Sequence, residues 1–206
     1  MYELPLDAKV TCTDGHGGEV VAVTFSPEGK VISHIVVEDS SGSQRLVPLD
    51  VAVKSSHNEI WLDCTEVELK EMPLFLVTEF VERAAQQSGD WAEEEGEWED
   101  GVDISSFEMS MEAYGMPVEV ERVPEGEVTF HRSVEIEATD SHVGNAGALI
   151  IEPESGQISH IVLHKGHLWG KKDIMVPLSA VDRIDYDSVY LNVDKNAAEN
   201  FPEVPR

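Results

Sequence analysis

The chain is short of basic residues. Against 41 Asp and Glu it carries 14 Lys and Arg, and its formal charge is −27. Such a surface repels nucleic-acid phosphates and anionic lipid heads, so no nucleic-acid partner is expected. Cysteine is scarce too, with Cys12 and Cys64 alone in 206 residues. Two thiols make no disulfide framework, and a reducing cytoplasm is the simpler expectation. No apolar run approaches ~18 residues, so direct membrane insertion is not expected. Met1-Tyr2-Glu3-Leu4-Pro5 lacks the basic and apolar stretches of a secretory signal, and none is expected. A Gly-x-Ser-x-Gly elbow is missing as well. No catalytic residues and no cofactor are expected.

What the chain does have is a repeated unit. Ile32-Ser33-His34-Ile35-Val36 recurs letter for letter as Ile158-Ser159-His160-Ile161-Val162, 126 residues later. Asp14 matches Asp140, Gly18 matches Gly144 and Pro27 matches Pro153 at the same offset. Three extra residues then move the offset to 129. Val47-Pro48-Leu49 matches Val176-Pro177-Leu178, and Pro73 matches Pro202. A duplication this long outranks any local motif. Cys12 and Cys64 fall opposite Ala138 and Val193, which marks them as core positions.

Within the first copy, apolar residues alternate or cluster in short runs between turn residues. Strands are expected at 8–13, 19–25, 30–38, 45–48, 51–54 and 59–64. Asp14-Gly15-His16-Gly17-Gly18 and Ser26-Pro27-Glu28-Gly29 read as turns. Thr65 is positioned to cap a helical turn from Glu66 to Lys70. The second copy repeats the pattern at 134–138, 146–152, 158–164, 174–177, 181–185 and 189–193, with a helical turn at 197–200. Short strands at this spacing suggest a small closed or nearly closed barrel.

Between the copies, Phe75, Leu76, Phe80, Val81 and Ala84 recur at roughly helical spacing, and a short amphipathic helix is expected before Gly89. Residues 79–128 hold 16 acids against 2 bases. Trp91 and Trp98 punctuate the most acidic part. It reads either as a solvated linker or as a recognition segment, because exposed tryptophan needs a partner to cover it. Val118-Glu119-Val120-Glu121 alternates and is expected to add a strand to the second copy.

These residues resemble the PRC-barrel family. An Asp-Gly turn, a following Gly and apolar strand, the Ile-Ser-His-Ile-Val strand, the Val-Pro-Leu strand end and a final strand before a Pro-flanked helical turn carry the likeness. It rests on Asp14, Gly18, His34, Pro48 and Pro73, then on Asp140, Gly144, His160, Pro177 and Pro202. The loop from His167-Leu168-Trp169-Gly170 to Asp173 is similar to that of bacterial tandem PRC-barrel proteins. The resemblance implies a mainly β fold: two small barrels with short helical turns, joined by an acidic linker. The expected boundaries are 1–83, 84–116 and 117–206. It also implies a non-enzymatic adaptor that binds a protein partner. One alternative is a divalent-cation-binding or stress-related protein. Another is a soluble photosynthetic assembly factor akin to the cytoplasmic part of the reaction-centre H subunit. A homodimer is one candidate assembly.

Ser33-His34 and Ser159-His160 invite a nucleophile-and-base reading. Neighbours on a strand point to opposite faces, so these side chains are expected not to meet. His160 and His164 stand about 13 Å apart by the strand rise, too far to share one metal. His164 and His167 could converge with Asp173, but loose cation binding by the glutamates is the preferred cation reading, and no specific metal site is expected. The binding candidates are Lys165, His167, Trp169, Lys171 and Lys172 in the one basic aromatic loop, with Trp91 and Trp98 in the acidic segment.

Overall fold

The computed structural model describes residues 2–81, 116–152, 154–164 and 173–205. The chain is mainly β, in several sheets. The first copy contains β1 (Tyr2–Pro5), β2 (Lys9–Thr11), β3 (His16–Ser26), β4 (Val31–Glu38), β5 (Gln44–Pro48), β6 (Ala52–Ser56), β7 (Glu59–Leu62) and α1 (Glu66–Glu71). Strands β8 (Leu76–Val81) and β9 (Met116–Glu121) follow. The second copy contains β10 (Val128–His131), β11 (Glu135–Glu137), β12 (His142–Ile151), β13 (Ile158–His164), β14 (Asp173–Pro177), β15 (Val181–Ile184), β16 (Ser188–Leu191) and α2 (Lys195–Glu199). Each expected strand of the two copies is present, most with shifted ends. Tyr2–Pro5 and Val128–His131 are strands that the residue pattern did not announce.

The two copies build the same ladder. One runs β5-β4-β3-β2-β7-β6 and the other β14-β13-β12-β11-β16-β15. Each contains one parallel step, β2 with β7 and β11 with β16. The paths are open at their ends among the described residues. Gly18 and Gly144 sit where the ladder bends. Gly18 has φ 133°, and a Cβ there would lie 2.0 Å from the Glu38 carbonyl oxygen. Only glycine fits so close an approach.

The copies also exchange strands. β2 is three residues long and covers only the start of the eleven-residue β3, up to Glu19. The uncovered stretch from Ala22 to Phe25 pairs with β10, the first strand of the second copy. Reciprocally, β1 pairs with β12 from Ala148 to Ile151. The registers are equivalent, since Val128 faces Phe25 as Tyr2 faces Ile151. The exchange fills an edge that a short β2 or β11 would otherwise leave unpaired. At the centre of the relation, Val31 bridges to Gln157, its own counterpart in the repeat. Ile32 N donates to Gly156 O at 3.0 Å, and Ile158 N donates to Lys30 O at 2.8 Å.

The two copies, expected as two small barrels, therefore share one interior. Met1–Phe75 and Arg122–Arg206 form one compact unit. A single apolar cluster runs through it, from Leu4, Val10, Ile35 and Ile60 to Phe130, Ile136, Leu149 and Val189. Leu4 and Leu6 are fully buried. Each such leucine contributes roughly 2–3 kcal/mol. Cys12 and Cys64 are buried free thiols in this core, as their apolar counterparts imply.

The recurring aspartates have a structural role. Asp14 Oδ1 accepts from Glu66 N at 2.8 Å, and Asp140 Oδ1 accepts from Lys195 N at 2.9 Å. Each ties the first turn of its copy to the first N–H of its terminal helix, where a negative charge is favourable. Thr65 adds a capping box with Glu68.

The second unit spans Leu76–Glu121. Here the expected amphipathic helix is overturned: Leu76–Val81 is a strand, antiparallel to β9. Its Val, Thr and Phe content crowds a helix and suits a pleated surface. β9 pairs with β8 rather than adding a strand to the second copy, a second correction. Most of the expected 84–116 linker lies outside the described residues, and the expected boundary at 117 falls inside β9.

Candidate functional site

The structure overturns the expectation that Ser33 and His34 point apart. Ser33 Oγ lies 2.8 Å from His34 Nδ1. Ser159 Oγ lies 3.1 Å from His160 Nδ1. The cause is a β-bulge. Thr24 pairs with His34 but Phe25 pairs with Ile32, so Ser33 has no opposite number. Ile150 pairs with His160 and Ile151 with Ile158, which skips Ser159 in the same way. An extra residue breaks the strict alternation of a strand and re-aims its side chain.

In the first copy the bulge gathers more polar groups. Ser33 Oγ donates to Glu127 Oε2 at 2.5 Å. Thr24 Oγ1 is 3.0 Å from Ser33 Oγ, and Thr24 is fully buried. His34 Nδ1 lies 4.0 Å from Glu127 Oε2, with both side chains mostly covered. Since the serine proton goes to Glu127, the serine oxygen receives from His34 Nδ1–H and from Thr24 Oγ1–H. A hydroxyl has one proton and two lone pairs, so Ser33 is saturated. The repeat explains the specificity of the cluster. Where Thr24 stands, the second copy has Ile150, and where Glu127 stands, it has Met1. There Ser159 Oγ donates to Ile150 O at 3.0 Å, where Ser33 Oγ stands 3.4 Å from Thr24 O.

A hydrolytic triad places the imidazole between acid and nucleophile. Here the serine sits between imidazole and carboxylate. The arrangement holds Glu127, and with it the chain leading into β10, against β3 and β4. Thr24 and Glu127 were missed in the sequence. They were legible as the polar departures from the repeat on either side of the shared Ser-His pair.

Three further histidines bear on a metal reading. His164 Nδ1 is 2.7 Å from Asp173 Oδ1, across β13 and β14, so that part of the nominated group converges. His167 lies outside the described residues, as do Lys165, Trp169, Lys171, Lys172, Trp91 and Trp98. A separate group forms on β11 and β12. Glu135, Glu137 and His142 bring one ligand atom each within 4.8 Å of one another. His142 Nδ1 is 3.2 Å from Glu137 Oε1. Two carboxylates and an imidazole are a donor set for a divalent ion such as Zn²⁺ or Mn²⁺. In the first copy the same positions are Lys9, Thr11 and His16, so the set is confined to the second.

The β8–β9 ribbon carries two of the exposed large apolar side chains among the described residues. Phe80 is 66 % exposed and Val118 43 %. Phe80 is paired with Pro117, and Val118 with Glu79. Among the described residues no helix is long and apolar enough to cross a membrane. No protein-family model matches the chain, and no curated protein matches it.

Proposed function

We propose that this protein is a non-enzymatic adaptor of two PRC-barrel-like units, with the β8–β9 ribbon as its contact element. The repeated ladder, the Gly-dependent bend and the Pro-flanked closing helix support the family reading. One observation carries the function: a two-stranded sheet that leaves Phe80 and Val118 exposed. Isolated two-stranded ribbons are marginal in water, and exposed aromatic surface is a usual mark of a contact site. The partner is a protein with a basic face, because 16 acids against 2 bases occupy residues 79–128. Opposite charge steers such encounters and makes them salt-sensitive. A homodimer through this segment sets acid against acid and is disfavoured. The saturated serine supports a scaffold role over catalysis.

The test is capture from native lysate, identification of the bound protein, and reconstitution with that protein purified. The reading expects a complex with the parent chain, weakened by salt and lost in Phe80→Ser with Val118→Ser. Equal binding by parent and variant removes the ribbon from the proposal. Absence of any reconstituted complex removes the adaptor reading.

The Glu135–Glu137–His142 set favours a second reading, a divalent-cation-binding protein. Calorimetric titration with Zn²⁺, Mn²⁺ and Ca²⁺ separates the two. A saturable site abolished by His142→Ala supports cation binding, and featureless heats remove it.

A further inference from the structure

The exchanged strands leave the two copies unequal at one place. In the first copy Ser55 Oγ on β6 donates to the Glu3 carbonyl of β1, and His57 Nδ1 meets Glu3 Oε1 at 3.2 Å. These bonds draw β1 against β6. The equivalent strands in the other half are β10 and β15. There Ile184 stands where Ser55 does, and it cannot make that bond. An apolar cleft of about 220 Å³ lies beside Ile184. Phe25 and Val128 form one wall, and Ile158, Leu178, Val181 and Ile184 the other. Phe25 and Ile158 are buried, while Val128 is 38 % exposed, so the cleft runs from the core to solvent.

Its rim carries charge of an unusual sign for this protein. Lys30, Asp182 and Arg183 line the opening. Arg183 is engaged, with Nε donating to Asp185 Oδ2 at 3.2 Å and its guanidinium 3.9 Å over the Tyr190 ring. Among the described residues no hydrogen bond or ion pair engages the Lys30 ammonium. Lys30 also sits at φ 51°, in the left-handed region. Its counterpart is Gly156, at φ 66°, the residue that such a turn prefers. A lysine held in a conformation that glycine adopts freely, at the mouth of an apolar cleft, points to a use for its side chain.

We propose that this cleft binds a small amphipathic carboxylate, with its aryl or alkyl body between β10 and β15 and its anionic end at Lys30. The size fits. A dry apolar cavity of about 150 Å³ accepts benzene, so about 220 Å³ accommodates a ring with a short carboxylate tail. Charge decides the ligand sign. On a chain of charge −27, a small anion is repelled almost everywhere. At this rim Asp185 engages Arg183, which leaves the Lys30 ammonium as the cation with no other engagement among the described residues. The inference is independent of the adaptor reading and of the ribbon.

The test uses the full chain, 3-phenylpropanoate as probe, and 3-phenylpropanol and 3-phenylpropylamine as neutral and cationic controls. Amide chemical shifts are followed by NMR. The acid is expected to give saturable shifts at Val128, Ile158 and the Leu178–Ile184 stretch. A ligand of this size gives a dissociation constant on the order of 1 mM. The alcohol binds about threefold to fivefold more weakly, as one solvent-exposed ion pair contributes, and the amine more weakly still. Lys30→Gly relieves the left-handed strain, keeps the fold, and brings the acid to the level of the alcohol. Val128→Glu abolishes binding of the acid. Shifts that fail to saturate or scatter over the surface overturn the proposal. Equal binding of acid and alcohol overturns it, as does a Lys30→Gly variant that binds the acid like the parent.

Discussion

Glu127 accepts a hydrogen bond from Ser33, 94 residues earlier in the chain, at 2.5 Å. The contact fastens the entry to the exchanged strand β10 onto the sheet that β10 completes. A mostly covered, charge-assisted hydrogen bond is worth roughly 1.5–3 kcal/mol. Glu127→Ala is expected to lower unfolding free energy by about 2 kcal/mol, and Ser33→Ala by a similar amount. The double variant is expected to lose clearly less than the sum of the two, which urea melts of all four proteins measure. Additive losses exclude the staple.

Strand exchange makes a non-local prediction. Leu4 belongs to the first copy in sequence and to the second copy's sheet in space. Leu4→Ala should cost about 2.5–4 kcal/mol, as for other fully buried leucines. Hydrogen exchange should show β12, from Ala148 to Ile151, losing protection earlier than β3. Loss confined to the first copy's own strands contradicts the exchange.

Asp39 gives a pH dependence. Burial pushes its carboxyl up, but bonds from the Ser41 side chain and from the Ser41 and Ser43 backbone, with Arg45 at 3.7 Å, outweigh it. The folded-state pKa is therefore lowered below the ordinary value of about 3.9. A lowered carboxyl stabilises the fold above its unfolded pKa and stops doing so as pH falls through the folded one. Asp39→Asn should be less stable than the parent at pH 7. The gap between them should narrow below about pH 4, which urea melts at pH 7 and pH 3 compare. A gap that widens in acid contradicts the reading.

The thiols offer a further check on the core. Burial first, then the neighbouring Cys64, pushes the Cys12 thiol up to about 12. Burial likewise raises Cys64. A thiol is nucleophilic only as thiolate. Both should resist a disulfide reagent at pH 8 in the folded protein and react once it unfolds. Cys12→Ala with Cys64→Val reproduces the second copy's residues and should cost under about 1.5 kcal/mol. Rapid labelling of the native protein contradicts the buried placement.

The residue pattern carried the ladder a long way. Alternation between turn residues located the strands of both copies other than β1 and β10, because side-chain period and turn chemistry are local. Thr65 and Glu68 spelled out their helix cap for the same reason. Leu76–Val81 was misread because six residues with apolar groups at both ends satisfy either period, and only the β9 partner decides. The Ser33–His34 contact was misread because a bulge is set by register with the neighbouring strand, which one strand's letters do not contain.

By itself the sequence determined that one β unit was written twice, where most of its strands fall, and which sites carry apolar side chains. Tertiary structure alone decided which copy each first strand completes. That choice depends on an edge left open by a three-residue β2 beside an eleven-residue β3, and on backbone bonds between segments more than a hundred residues apart. It also decided that Glu127 meets Ser33, that Ser55 bonds to the Glu3 carbonyl, and that a cleft opens beside Ile184. Local chemistry fixes what each segment can form. Only the packed whole fixes which segments meet.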